Sequence, residues 1–281
     1  LGDDKIYGIE NPGYPKIAKI YDSMHVSYSA IDLDKHGVCI DSLEDHQIDI
    51  MHLSPSHHFP TGIITPISRR YELLGWASKD ENRYIIEDDY DSELRLGGKP
   101  IPTLQSIDVS DKVIYMNTFT KTLSSTVRIS YMVLPASLTE LFYKKLSFYS
   151  CTVSNFEQYT LARFMESGSF EKHINRLRNY YQNKRDAILE IFKTAPLDQY
   201  ITIKEEDSGV HFMMKLKTDR TEMDMISDAK SKGIKLAPLS KYFVSQTSNM
   251  NFQNVYVMNY SSIDLEQLPL IFDVLCQVLI K

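Results

Sequence analysis

The residues best suited to chemistry in this 281-residue chain stand together in Asn117-Thr118-Phe119-Thr120-Lys121-Thr122-Leu123, with Arg128 following. Lys121 is hemmed in by hydroxyl side chains at the end of the apolar run Val113-Ile114-Tyr115-Met116, a poor setting for an ordinary surface lysine. A lysine amine can condense with an aldehyde, and neighbouring hydroxyls with one arginine can hold a phosphate. Pyridoxal phosphate asks for both groups at once.

Four other stretches offer what such a cofactor needs. Ile85-Ile86-Glu87-Asp88-Asp89-Tyr90-Asp91-Ser92-Glu93 places carboxylates and a tyrosine at the exit of an apolar strand. Adjacent like charges are unfavourable unless one of them meets a cation. A protonated pyridine nitrogen is such a cation, and Asp88 is assigned to it, with the Tyr90 hydroxyl toward the phenolic oxygen. A solvated acidic turn is the competing reading. In Ser54-Pro55-Ser56-His57-His58-Phe59-Pro60-Thr61-Gly62, Pro60 and Gly62 signal a rigid turn. The paired histidines have no third ligand at useful spacing, so the loop is expected to wall the cofactor and not to hold zinc. Glu10-Asn11-Pro12-Gly13-Tyr14-Pro15-Lys16 offers Tyr14 for stacking on a planar ring and Lys16 for an anionic ligand, or simply a turn tyrosine at a helix start. Arg128 opens the next strand, and a buried arginine there needs an anion. A phosphate shared with Thr118 and Thr120 would serve, as would a carboxylate.

The elements that must position these groups alternate through the first half. Strand-like runs occupy Lys5–Glu10, His25–Ile31, Ile48–Leu53, Arg83–Glu87, Val113–Met116 and Arg128–Leu134, with a helix expected over Pro66–Ser78 on apolar Ile67, Leu73, Leu74 and Ala77. Such alternation predicts an α/β domain with a largely parallel sheet, whose ligand groups gather at strand carboxyl ends. From Asn155 two helices follow, the second over Ser169–Lys193. Its stripe Ile174, Leu177, Tyr181, Ile188 and Ile191 should pack, and its basic residues Lys172, Arg176, Arg178, Lys184 and Arg185 should form a solvated face. A smaller α+β unit is expected beyond it, with strands near Tyr200–Lys204, Gly209–Leu216, Ile234–Ala237 and Asn254–Tyr260. A closing helix spans Asp264–Ile280, with Asp264 as N-cap and Gln267 completing a capping box.

Composition narrows the function classes. A net charge of −6 leaves no overall basic footprint for nucleic acid on this chain. No apolar run reaches transmembrane length, and Cys39, Cys151 and Cys276 are scattered without metal spacing, so a reduced cytoplasmic compartment is expected. The chain opens on Leu1 and runs at once into a strand, so it reads as a fragment.

The motifs His57-His58-Phe59-Pro60-Thr61-Gly62, Glu87-Asp88-Asp89-Tyr90-Asp91-Ser92-Glu93 and Thr118-Phe119-Thr120-Lys121-Thr122-Leu123 resemble those of fold-type I pyridoxal-phosphate aminotransferases. More narrowly they resemble the MocR/GabR type of the GntR superfamily, as does Gly168-Ser169-Phe170-Glu171-Lys172-His173-Ile174 with Arg176, Arg178 and Arg185. Phe59 stands where ordinary aminotransferases usually carry asparagine, and His58 where the family generally has glutamine. The resemblance implies a partial large cofactor domain over 1–168, then a bridging helix and small C-terminal domain over 169–281. It implies a bacterial transcription regulator whose winged-helix DNA reader and glycine-rich phosphate loop lie upstream of this chain, and a homodimer. By the family pattern Lys121 is the Schiff-base lysine, and Asp88, Tyr90, Arg128, Thr118, Thr120 and Tyr14 bind the cofactor. Lys16 and His57 are candidate contacts for an amine or amino-acid-like effector. Family members that handle amino acids usually clamp the carboxylate with a C-terminal arginine, yet no arginine follows Arg220, and Lys241 supplies charge without the planar fork. Effector sensing is therefore expected ahead of turnover as a working aminotransferase, with a cofactor-free scaffold as a third reading.

Overall fold

The computed structural model describes residues 1–97, 101–124, 126–205, 209–245 and 252–280. The apolar runs of the first half pair into one sheet: β1 (Tyr7–Asn11), β2 (Tyr28–Asp34), β3 (Gly37–Val38), β4 (Ile50–Leu53), β5 (Tyr84–Asp88), β6 (Val113–Thr118) and β7 (Ser130–Val133). Their order is β3-β2-β1-β4-β5-β6-β7. The five central strands run parallel, while β3 and β7 are antiparallel edges. Helices α1 (Pro15–Ser23), α2 (Ile40–Asp45), α3 (Ile67–Ser78) and α4 (Leu104–Ile107) make the crossovers that parallel pairing demands.

A parallel strand covered on both faces must be apolar throughout. β4 meets this with Ile50, Met51 and Leu53, all fully buried; His52 is the exception. The chain passes from β1 to β2 on one side and later enters β4 on the other, so β1 and β4 diverge at a topological switch point. Crevices at such points are where sheets of this class bind ligands.

Helices α5 (Ala136–Leu146), α6 (Asn155–Glu166) and α7 (Ser169–Phe192) lead to a second sheet, antiparallel and ordered β10-β9-β8. Its strands are β8 (Ile201–Lys204), β9 (His211–Leu216) and β10 (Val255–Asn259). Together with α8 (Glu222–Ser231) and α9 (Leu268–Leu279) it encloses a core of Ile188, Phe192, Phe212, Met214, Met225 and Val278. Leu94, just beyond β5, is part of that same core, so the exit of the large sheet is anchored in the small one. The architecture is α/β with a mostly parallel large sheet and a smaller α+β unit.

Several local expectations are corrected. Ile234–Ala237 is not a strand: Pro238 has no N–H to extend a ladder, and only a single bridge joins it to Tyr256. Asp264 caps a short 3₁₀ turn through the Glu266 N–H, so the box with Gln267 does not form. Ile67 is exposed, and α3 instead buries Arg70 and Trp76 beside Leu73, Leu74 and Ala77. The basic residues of α7 do not form one solvated face. Lys184 and Arg185 are buried, the first donating to the Ser261 carbonyl (2.9 Å), and Arg178 donates to the Glu93 carbonyl (2.7 Å).

Candidate cofactor site

At the exit of β1 the chain turns sharply. A Cβ on Gly13 would lie 2.2 Å from the Glu10 carbonyl oxygen, so no other residue fits the bend. The small unit fastens this turn: Gly13 N–H donates to the Tyr242 carbonyl (2.9 Å), and Asn11 Oδ1 accepts from Val244 N–H (3.0 Å). The turn delivers Tyr14 to the start of α1, 45% exposed and edge-on to Phe59 at 5.8 Å. Lys16 is exposed, with its ammonium 5.8 Å from the Tyr14 ring.

The loop after β4 is held from below by Arg70, fully buried, which donates to the carbonyls of Pro55 (2.8 Å), Thr65 (3.0 Å) and Pro102 (3.1 Å). Ser54 N–H donates to the buried Glu10 carboxylate (3.0 Å), tying this loop to β1. His57 donates from Nδ1 to Asp91 (2.8 Å) and lies parallel to His211 of β9 at 4.4 Å. Gly209 packs directly on His57: a Cβ there would sit 2.1 Å from the imidazole, and its φ of +61° suits glycine. His58 binds Thr61 through Nδ1 (2.7 Å), and burial first, then the charge of His57, depress its pKa to about 3.

The acidic run after β5 is not a solvated turn. Each carboxylate goes to a different partner. Glu87, fully buried, accepts N–H groups from Leu104 and Gln105 (2.9 Å each) at the start of α4 and faces Arg70 at 3.5 Å. Asp89 accepts from the hydroxyls of Tyr115 (2.7 Å) and Ser92 (2.8 Å), and Asp91 takes His57. Asp88 is the exception: among the described residues it accepts no hydrogen bond, and it is partly open to solvent. It lines a narrow cavity of about 20 Å³ with Tyr14, Glu10, His52 and Phe59, and a second of about 260 Å³ with Thr118, Asn117 and Tyr131. Tyr90 stacks on His57, with its hydroxyl 3.3 Å from His57 Nδ1. Burial, then the charge of Asp91, pushes that hydroxyl's pKa well up.

The β6–β7 connection carries Lys121. Thr118 and Thr120 hydroxyls are 2.9 Å apart, and Thr120 N–H donates to Thr118 Oγ1 (3.2 Å). Buried Thr122 offers its carbonyl to His173 of α7 (2.7 Å), which fixes the turn to the long helix. Lys121 is exposed, and so is Arg128, which precedes β7 and is not the buried residue expected. Neither makes a hydrogen bond or ion pair among the described residues, so the carboxylate alternative for Arg128 is not realised there. Burial first, then the charges of His57, His58 and Lys121, push the pKa of His211 well down.

Asp88 thus shares one cavity with Tyr14 and another with Thr118. His57 is built into the wall, and its open side faces a larger cavity of about 510 Å³ with Arg178 and Gly209. Sequence reasoning missed His52, His211, Arg70 and Gly209. One signal was available for His52, a lone polar residue in an otherwise apolar strand. Among the described residues no group of three or more His, Cys, Asp or Glu is arranged to hold a metal.

The family of class I and II aminotransferases matches residues 9–263. Two uncharacterized HTH-type transcriptional regulators of Bacillus subtilis (strain 168) are similar to the chain. YdeL is 40% identical over 233 residues, 83% of this chain and 50% of that protein. YhdI is 38% identical over 240 residues, 85% of this chain and 51% of that protein. The chain therefore spans about half the length of these relatives. Its fold matches the kynurenine aminotransferase of Pyrococcus horikoshii with a TM-score of 0.80 at 25% identity, covering 98% of this chain and 69% of that one. Pyridoxal 5′-phosphate is the cofactor of this family, and the residues present suit it. An exposed amine, a pair of threonine hydroxyls 2.9 Å apart, an exposed arginine at the entry to β7 and a carboxylate lining a cavity are groups of the kinds its aldehyde, phosphate and pyridine nitrogen call for. The chain belongs to the class I and II aminotransferase family, in the fold-type I architecture, and resembles the aminotransferase-like half of HTH-type regulators.

Proposed function

We propose that this chain is the cofactor-binding, effector-sensing domain of a bacterial MocR-type regulator of the GntR superfamily. DNA is contacted through a winged helix outside this chain, and the protein works as a cytoplasmic homodimer. Two regulators from Bacillus subtilis support the reading, each matched over about half its length. In keeping with it, no helix among the described residues is long and apolar enough to cross a membrane.

Pyridoxal phosphate supplies an electron sink and a reactive aldehyde when bound. Lys121 is the amine that holds it covalently. Asp88 takes the pyridine nitrogen, Tyr14 covers the ring, and Thr118, Thr120 and Arg128 hold the phosphate. The Tyr90 hydroxyl, 3.3 Å from His57 Nδ1, would be the group to meet the phenolic oxygen. Lys16 and His57 stand at the effector side.

Sensing is favoured over turnover by one observation: the sequence has no arginine beyond Arg220. Arg220 itself is committed elsewhere, to Asp228 (3.0 Å) and to the Val278 carbonyl (2.7 Å). The part of the small unit packed on Phe59 is apolar instead, with Met213, Val255, Val257, Phe243 and Phe252. That surface has no planar fork for an α-carboxylate. The runner-up, a working aminotransferase, draws on the likeness to aromatic-amino-acid aminotransferase 1 of Thermococcus litoralis, 28% identical over 261 residues.

The test uses the full-length protein loaded with pyridoxal phosphate. An effector amine should displace Lys121 from the cofactor and alter operator binding, without multiple turnover of any amino-acid and keto-acid pair. Lys121→Ala should abolish the visible absorption of the lysine-bound cofactor. A band that persists in that variant sinks the lysine assignment, and sustained turnover replaces the sensing reading with the enzymatic one.

A further inference from the structure

His52 stands out because nothing described so far uses it. It is 9% exposed in the middle of apolar β4, and its Nε2 has no hydrogen-bond partner. An imidazole nitrogen left unpaired in such a place costs stability, so it calls for an explanation. On one side Tyr21 of α1 meets its Nδ1 at 3.0 Å. On the other its Nε2 points at Asp88 Oδ2, 3.8 Å away. Both His52 and Asp88 line the narrow cavity that also holds Tyr14. Among the described residues no donor hydrogen-bonds the Asp88 carboxylate, and His52 is the only basic side chain in ion-pair reach of it.

The tautomer follows from the neighbours. Tyr21 is packed between Tyr7 (5.0 Å) and Tyr28 (6.0 Å), and burial keeps it a phenol. A phenol donating to Nδ1 leaves the proton on Nε2, facing a carboxylate. The opposite tautomer would aim a lone pair at Asp88. A carboxylate partner for the second ring nitrogen is also the usual way an imidazole's orientation is fixed.

We propose that His52, its tautomer set by Tyr21, is a positioning residue that orients the Asp88 carboxylate toward the pyridine nitrogen of the cofactor. The Tyr21–His52–Asp88 chain thereby couples α1, β4 and β5 to the strength of one ion pair. The proposal rests on Asp88 being the partner of that nitrogen, and the test separates the two.

In the full-length protein, dissociation constants are measured for pyridoxal phosphate and for its 1-deaza analogue, which carries a C–H in place of the ring nitrogen. The ratio of the two isolates the Asp88–nitrogen contact from everything else the ligands share. Asp88→Asn should collapse the ratio; if it does not, the Asp88 assignment is wrong and the proposal falls with it. His52→Leu should lower the ratio about tenfold, the size expected when a polar partner facing a charged group is removed. His52→Gln, which keeps an N–H donor, should restore most of it. Tyr21→Phe, which keeps the ring, should lower it by about threefold through the lost tautomer lock. Parallel weakening of both ligands in His52→Leu, with the ratio unchanged, makes His52 a packing residue and overturns the proposal. Should His52→Leu fail to fold, an unchanged ratio in Tyr21→Phe decides the same way.

Discussion

Glu10 and Asp88 line one narrow cavity, and they meet the same surroundings with opposite outcomes. Asp88 keeps contact with open space. Glu10 is closed in, and burial pushes its pKa up to about 8 against the Ser54 N–H that favours the charged form, with Asp88 raising it further. A carboxyl whose folded pKa exceeds its unfolded value stabilises the fold below the unfolded value, about 4.5, and loses that contribution as pH rises through the folded one. Glu87 has the same sign but reaches only about 7. His58, depressed to about 3, acts in the acid range, where stability falls as pH drops below the ordinary histidine value. Between pH 7 and 8 Glu10 contributes most, and comparison with a variant that lacks its carboxyl removes the smaller share of Glu87. Between those two pH values, cofactor-free wild type should lose about 1 kcal/mol of stability relative to Glu10→Gln. The glutamine retains an oxygen for the Ser54 N–H and does not titrate. Urea unfolding of both proteins at the two pH values checks this, and parallel curves would mean that Glu10 is ionised in the folded state.

At the scale of elements, α7 shows where pattern reading succeeds and where it stops. Its apolar stripe and its ends were legible because a 3.6-residue period is a property of the segment itself. Ile174 and Ile188 are buried, and Leu177, Tyr181 and Ile191 pack against the core that holds Ile188. The fate of its cations was not legible, because it depends on a partner from another part of the chain. Lys184 finds the Ser261 carbonyl 77 positions away, with its ammonium 5.5 Å from the Tyr180 ring, while Lys172 has no hydrogen-bond or ion-pair partner among the described residues and stays exposed. Lys184→Ala should accordingly cost about 2 kcal/mol, since it strips a buried stem and leaves a carbonyl unpaired. Lys172→Ala should stay within about 0.5 kcal/mol of wild type. Chemical denaturation of the pair checks the contrast, and equal effects would return α7 to the solvated-face reading. The carboxylates after β5 teach the same lesson. Their strand-end position was legible, but the sorting of Glu87 to α4, Asp89 to Tyr115 and Asp91 to His57 needed the fold. That the Lys121 and Asp88 motifs stand at strand exits could be read because the apolar run before each marks its strand. His52 and His211 could not be assigned, because a lone histidine in a strand gains meaning only from what faces it.

Taken as a whole, the molecule is unevenly covered. The centre of the large sheet is sealed, yet β7, its edge strand, has all four residues exposed. Helix α6 buries none of its residues. Between and upon them stand Phe148 (75% exposed), Tyr149 (69%), Phe156 (80%) and Tyr159 (73%), alongside Tyr131 and Met132 of β7. Scattered apolar residues on a surface need no explanation, but four aromatics this exposed within twelve positions of one another, in a chain that also leaves a strand edge open, do. The edge offers unpaired backbone groups, and the aromatics offer apolar area without charge to keep copies apart. Capping does not relieve this: Ser154 and Glu157 form a complete capping box that holds α6 as a helix while its aromatic side stays uncovered. Isolated at 281 residues, the chain should therefore self-associate, its average mass in sedimentation equilibrium rising with concentration. Phe148→Glu combined with Phe156→Glu replaces two of these exposed aromatics by negative charges in a protein that already carries −6, and should hold the mass near that of one chain. Neither position is in a buried core, so the double variant should unfold at nearly the same urea concentration as wild type. A concentration-independent monomer for the wild-type chain would show that these aromatics are not sticky enough to drive association.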